Sequence, residues 1–182
     1  MQASMMTSPI DPIRDKLIEA LKVSDENHRE KRADRIVWMS TYRSRPGFIT
    51  GRPETLALLD EAEDAFREGH FISVQLLALA FVEHTIVEEL VERSLSKERV
   101  NFERALELAQ RNQVLDIELL SRIDRLREIR NPFAHRRPHD DPDTYGNRYI
   151  SRQIHPRAML EQDAREAFQV MYLVFSALLK AV

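Results

Sequence analysis

The stretch Leu119–His135, LLSRIDRLREIRNPFAH, begins as an amphipathic helix. Six apolar residues recur at helical spacing and form one stripe: Leu115, Leu119, Ile123, Leu126, Ile129 and Phe133. Arg130 lies inside that stripe, where a guanidinium is costly to bury unless a carboxylate or a ligand satisfies it. Pro132 follows and predicts an interruption of the helix, with His135 shortly beyond it. An arginine on the core side, a helix break and a histidine together indicate a site more than a scaffold.

The periodicity of the whole chain predicts an all-α protein, a bundle of about four to five core helices with an N-terminal helical extension. The chain has 182 residues, only four glycines and no cysteine, so disulfides and thiolate metal sites are excluded. A formal net charge of −3 gives no overall nucleic-acid signature, so any anion site has to be local. We find no signal peptide and no uninterrupted apolar span of membrane length, which predicts a soluble, cytoplasmic protein without membrane contact.

Residues 1–50 are predicted to form the helical extension and a linker. Two helices are expected there, one opened by Asp11-Pro12 and one from Ser24 or Asp25 to about Tyr42. A linker rich in glycine and proline follows, from Ser44 to Pro53. The main domain then covers residues 53–182, with helices expected over Glu54–Glu68, Phe71 to about Leu95, Asn101–Gln110, Asp116–Asn131 and Ala158–Ala181. A loop rich in proline and aspartate is expected from Pro138 to Pro156.

The long helix that begins at Phe71 also carries a charged residue on an apolar stripe. Glu83 lies in the middle of the helical series Ile72, Leu76, Leu79, Ile86 and Leu90. Since two core helices each place one charge of opposite sign on an apolar stripe, Glu83 and Arg130 are predicted to face each other. That pair has two interpretations, a plain structural ion pair and a part of a functional site. His84, on another face of the same helix, is interpreted as a core or helix-contact histidine.

The segment Arg130-Asn131-Pro132-Phe133-Ala134-His135 resembles the R-x4–6-H motif of the HEPN superfamily. Members of this superfamily are compact helical-bundle domains found widely in bacterial toxin and defence systems. Asn131 occupies the polar position directly after the arginine, and Glu83 stands on the preceding long helix, where many members place an acidic residue. The order of short and long helices fits as well. The resemblance covers about residues 53–182.

The resemblance implies metal-independent RNA cleavage, without a cofactor, at a composite site shared by the two protomers of a homodimer. RNA supplies its own nucleophile, the 2′-hydroxyl, and the products would be a 2′,3′-cyclic phosphate and a 5′-hydroxyl. His135 would act as acid or base, and Arg130 would hold the scissile phosphate. Asn131 would orient His135 or contact the RNA backbone, and Glu83 would fix Arg130. Pro132 is expected to turn His135 back toward Arg130. An antitoxin or a defence-system protein is the expected partner.

Arginines and aromatic residues that follow the motif are predicted to bind the substrate, because they suit phosphate contact and base stacking. They are Arg136, Arg137, Arg148, Tyr149 and Arg152. A solvated surface loop is the alternative interpretation. In one toxin branch of the superfamily, a partner antitoxin modifies a tyrosine two residues after the motif histidine. This chain has Arg137 there, which puts that regulation in doubt. His135 and His139 have a four-residue spacing, but Pro138 breaks the helix that would align them, so no metal site is predicted.

Two other functions stay open at the level of sequence. The first is a non-catalytic module of the same superfamily that binds RNA or a nucleotide in the same pocket. The second is a structural dimerisation or adaptor domain in which Glu83 and Arg130 form a buried pair. The presence of His135 favours a ribonuclease over the binding module, because binding alone has less need of that residue. A fully enclosed Arg130 would favour the structural domain.

Overall fold

The computed structural model describes residues 11–42, 48–49, 51–97 and 100–181, and these residues form seven α-helices. The helices are α1 (Asp11–Ser40), α2 (Pro53–Glu68), α3 (Phe71–Glu92), α4 (Phe102–Arg111), α5 (Ile117–Ala134), α6 (Tyr145–Arg152) and α7 (Pro156–Val174). A π-helical turn, Phe175–Leu179, continues α7. Two short strands, β1 (Phe48–Ile49) and β2 (Lys180–Ala181), pair antiparallel. The predicted all-α helical bundle is confirmed.

The chain divides into two compact units, Met1–Ser40 and Thr41–Val182. The first unit contains α1, which is one continuous helix of 30 residues where we expected two. No glycine or proline follows Pro12 within α1, so nothing in it ends the helix. Side chains pair along the helix, with Arg32 Nη2 at 2.9 Å from Asp25 Oδ1.

The boundary between the two units also differs from the expected one. Residues 44–47 and 50 of the predicted linker lie outside the described residues. The remaining part includes β1, which pairs with β2 at the end of the chain, with Phe48 opposite Ala181 and Ile49 opposite Lys180. Part of the expected linker is therefore part of the second unit, and the division falls at Ser40.

The core of the second unit is built around α3, which packs against α2, α4, α5 and α7. Phe66 of α2, Phe81 of α3 and Phe168 of α7 are completely buried. The rings of Phe66 and Phe168 lie 5.2 Å apart in a tilted arrangement, within the range that stabilises aromatic pairs beyond the burial of their surface. α3 therefore lies at the centre of the second unit, with α7 packed along it.

Among the described residues, α3 is long and apolar enough to cross a membrane by length and composition alone. Ten of its residues are buried within the bundle: Phe71, Val74, Gln75, Ala78, Leu79, Phe81, Val82, Thr85, Ile86 and Leu90. A helix packed in this way is typical of the core of a soluble protein. The cytoplasmic location stays a prediction.

Local signals place the ends of several helices. Pro53 occupies the first turn of α2, where its missing N–H costs nothing. Asn101 and Asp116 cap α4 and α5, because the Oδ1 atom of each accepts a backbone N–H at 2.8 Å, from Arg104 and Leu119 respectively. These caps put the observed helices within a few residues of the predicted ones. The expected 138–156 loop, in contrast, contains α6, and α7 ends at Val174 rather than near Ala181.

Gly69 ends α2 in the left-handed region, with φ 79° and ψ 28°. Replacing Gly69 by alanine is expected to lower the free energy of unfolding by about 1 kcal/mol, because a side chain is strained at this φ. Urea denaturation measures the change. Gly146→Ala is the matched control, since Gly146 lies within α6 and a Cβ there meets no atom within 4 Å. The control should keep or raise stability, and equal losses in the two variants would contradict the prediction.

Candidate active site

Arg130 lies on α5, four residues before the helix ends, and its side chain is half-buried. Its Nε atom is buried and has no hydrogen-bond partner among the residues that the structure describes. Burial lowers the pKa of the Arg130 guanidinium below its ordinary value; attraction by Glu83 opposes this effect and repulsion by Arg127 adds to it. Arg130 is therefore a partly desolvated cation whose donors are incompletely satisfied, and a bound anion would stabilise it.

Glu83 of α3 is half-buried and close enough to Arg130 for its charge to act on the guanidinium. α3 packs against α5, which brings the two half-buried residues within electrostatic range of each other. They form no direct ion pair or hydrogen bond within the described part of the chain, so the expected contact is not made. Glu83 instead lines a groove beside α3, and His84 next to it is exposed rather than packed in the core.

Pro132 does not interrupt α5, and our prediction of a helix break there was wrong. The helix continues to Ala134, and the N–H of His135 still donates to the carbonyl of Asn131 at 2.8 Å. Because proline has no N–H, only the carbonyl of Glu128 loses its helical hydrogen bond. Glu128 is exposed, so water can replace that bond. The cost in stability is small, because Pro132 lies in the last turn of α5, where few later helical hydrogen bonds depend on the missing one.

His135 follows α5 directly and is exposed. Its backbone is extended, with φ −138° and ψ 140°, so the chain leaves the helix at this residue and not at Pro132. Asn131, half-buried one turn earlier, is joined to His135 through the backbone hydrogen bond. The end of α5 therefore presents three polar side chains of different exposure, Arg130, Asn131 and His135, within its last turn and cap.

The segment after His135 returns to the bundle through α6. The ring of Tyr145 lies 6.0 Å from that of Phe133, so the start of α6 contacts the last turn of α5. Asp143 accepts a hydrogen bond from Arg125 Nη1 at 2.9 Å. Asn147 Nδ2 donates to the carbonyls of His139 and Asp141, both at 2.9 Å. The Tyr145 and Asp143 contacts hold this segment against α5, and the Asn147 hydrogen bonds connect it internally.

The predicted substrate-binding residues differ in exposure. Arg136 and Arg137 are exposed and directly follow His135, and Arg137 Nε lies 4.0 Å from Asp141 Oδ2. Tyr149 on α6 is exposed as well. Arg152 is partly exposed, and its Nη1 lies 3.8 Å from Asp163 Oδ1. These four side chains are accessible to a ligand.

Arg148 is an exception, because it is only 3% exposed. Its Nη2 donates to both carboxylate oxygens of Asp163 at 2.6 Å, which joins α6 to α7. The Nε and Nη1 atoms of Arg148 are buried and have no hydrogen-bond partner within the described part of the chain. An arginine enclosed in this way cannot contact RNA on the surface, so its assignment to substrate binding was wrong. Its role is to dock α6 on the bundle.

Nearby, burial raises the pKa of the Tyr145 hydroxyl above its ordinary value, although attraction by Arg148 partly offsets the increase. Tyr145 therefore stays protonated at neutral pH and can donate a hydrogen bond. Tyr145 falls within the loop expected from Pro138 to Pro156, and the short helix that positions it was not predicted.

In the regions 11–42, 51–97 and 100–179, no three histidine, aspartate or glutamate side chains are grouped closely enough to hold a metal ion. Compared with known proteins, the chain matches no family model, no curated protein and no solved structure.

Proposed function

We propose that the protein is a metal-independent endoribonuclease of the toxin or antiphage-defence type, with a composite site formed by two protomers. The observation that carries the proposal is the state of Arg130. Its guanidinium is partly desolvated, its Nε has no partner in the described part of the chain, and Glu83 does not reach it. A cation held in this state five residues before an exposed histidine suits an enzyme that binds a phosphate and moves protons.

The chemistry assigns one task to each side chain. Arg130 binds the scissile phosphate and stabilises the charge that develops on its oxygens. His135 removes the proton of the 2′-hydroxyl or delivers a proton to the leaving 5′-oxygen, since an imidazole titrates near neutral pH. Asn131 contacts the RNA backbone near the histidine. The 2′-oxygen forms the new bond to phosphorus and the bond to the 5′-oxygen breaks, which gives a 2′,3′-cyclic phosphate and a 5′-hydroxyl.

The need for a base and an acid supports the homodimer. In-line displacement requires proton acceptors and donors on opposite sides of the phosphorus, and one exposed His135 serves only one side. A second copy of α5 supplies the complementary histidine. Arg136, Arg137, Tyr149 and Arg152 are accessible for contacts with the phosphates and bases that flank the cleavage position. An antitoxin or defence-system partner would then control the site by covering it.

A structural dimerisation or adaptor domain has less support. That function was based on a buried ion pair between Glu83 and Arg130, and the two side chains make no direct pair within the described residues. An assay of RNA cleavage distinguishes the enzyme from a module that binds RNA or a nucleotide in the same pocket without cleaving it.

Incubation of the purified protein with RNA in excess chelator is expected to give fragments with 2′,3′-cyclic phosphate ends. The His135→Ala variant should cleave at least about 100-fold more slowly, because it lacks the proton-transfer group. His139→Ala is the matched control, an exposed histidine of the same loop that should retain activity. Equal rates for His135→Ala and the wild type would refute the mechanism, and RNA binding without cleavage by the wild type would assign the binding module.

A further inference from the structure

A groove of about 350 Å³ opens along α3 on the side of Glu83. Its size is within the range of small-ligand pockets. Three valines provide apolar surface, and four polar or charged side chains surround them: Val87, Val91, Val100, Arg52, Glu83, His84 and Glu88. An apolar surface bordered by hydrogen-bonding groups can hold a planar ring that carries polar edges.

The two carboxylates in the groove differ in their hydrogen bonding. Glu88 Oε1 accepts a hydrogen bond from Thr55 Oγ1 at 2.6 Å and lies 4.0 Å from Arg52 Nε. Glu83 makes no hydrogen bond and no ion pair within the part of the chain that the structure describes. Glu88 is therefore held in place by its contacts with Thr55 and Arg52, and Glu83 is the carboxylate that remains available to a ligand.

The groove adjoins the proposed active site through Glu83. This carboxylate lines the groove, and its charge also acts on Arg130 of α5, a helix that packs against α3. A nucleotide whose phosphate contacts Arg130 would carry its base toward the groove. Arg130 and Arg52 offset the repulsion between that phosphate and the two carboxylates.

We infer, building on the proposed ribonuclease function, that this groove receives the base beside the scissile phosphate and selects guanine. A carboxylate presents two acceptors side by side. Guanine is the one RNA base with two adjacent donors on its Watson–Crick edge, N1–H and the 2-amino group. Adenine and cytosine place a ring-nitrogen acceptor beside their amino group, and uracil places carbonyls on both sides of its N–H, so each would bring an acceptor against Glu83. The valines contact the face of the ring.

Binding of nucleoside monophosphates, measured by calorimetry, tests the pocket. The wild-type protein is expected to bind GMP at least about tenfold more tightly than AMP, CMP or UMP, the effect of one or more hydrogen bonds to a charged group. IMP, which lacks only the 2-amino group, should bind about tenfold more weakly than GMP. Glu83→Gln should remove the preference, because an amide offers one acceptor and one donor.

Glu92→Gln is the matched control, the same change on the same helix at an exposed residue outside the groove. It should leave the guanine preference unchanged. Equal affinities for the four nucleotides, or a preference that survives Glu83→Gln, would overturn the inference. Binding does not require cleavage, so the two proposals separate. Cleavage without a guanine preference would refute the guanine pocket alone. A guanine preference in a protein that does not cleave RNA would refute the ribonuclease function alone.

Discussion

Replacing Arg130 by methionine is expected to lower the rate of RNA cleavage by about 100-fold or more without lowering the stability of the fold. The loss of rate follows from removing the group that, in the proposed ribonuclease, stabilises charge on the phosphate. Stability should stay the same or rise, because a partly desolvated guanidinium with an unsatisfied Nε is replaced by an apolar side chain of similar length. Cleavage assays and thermal unfolding measure the two quantities on the same preparation.

The two measurements together separate a functional arginine from a structural one. If Arg130 held α5 to α3 through Glu83, the methionine variant would leave a carboxylate without its partner and lower the free energy of unfolding. Arg127→Met is the control on the same helix. Arg127 pairs with Asp124 at 2.8 Å in a partly exposed salt bridge, so this variant should change stability by no more than about 1 kcal/mol and retain cleavage. A clear loss of stability in Arg130→Met with unchanged cleavage would reverse our assignment.

The sequence predicted the unusual position of Arg130 and Glu83 because apolar periodicity reports which face of a helix is turned inward. Both residues are half-buried. Periodicity cannot give the distance between two helices, which depends on the bulk of the side chains between them. The pattern could therefore not determine whether Glu83 and Arg130 form a direct ion pair. In the structure the charge of Glu83 acts on Arg130, but the two side chains form no ion pair among the described residues.

The same rule could have found Asp163, which sequence reasoning missed. Met159, Asp163, Ala167 and Val170 recur at helical spacing on α7, and all four are buried. A single carboxylate on that stripe predicts a buried cationic partner. Its partner Arg148 lies in a segment whose proline and aspartate content suggested a loop. α6 is short, and its docking on α7 rests on a long-range ion pair, so local signals were too weak to predict it.

Breaking the buried pair between Arg148 and Asp163 is expected to have the largest effect on stability of the changes considered. The two side chains are 4% and 5% exposed, and Arg148 Nη2 donates to both oxygens at 2.6 Å. Asp163→Ala leaves a buried guanidinium without a counter-charge, which costs about 3–5 kcal/mol of unfolding free energy. Urea denaturation with the wild type alongside measures the loss. Asp124→Ala, which removes the carboxylate of a partly exposed salt bridge, should cost about 1 kcal/mol or less.

The double variant Arg148→Met with Asp163→Leu separates two contributions to the free energy of unfolding. One is the destabilisation caused by a buried unpaired charge, and the other is the net stabilisation by the ion pair. Since Arg148 Nε and Nη1 have no hydrogen-bond partner in the described residues, the pair recovers only part of the free energy lost when its two charges leave water. The double variant should therefore regain most of the stability lost in Asp163→Ala. Arg152, 3.8 Å from Asp163, is partly exposed and loses little when the carboxylate is absent. If the double variant is as unstable as the single one, the ion pair itself and not the avoidance of a lone buried charge holds α6 in place beside the end of α5.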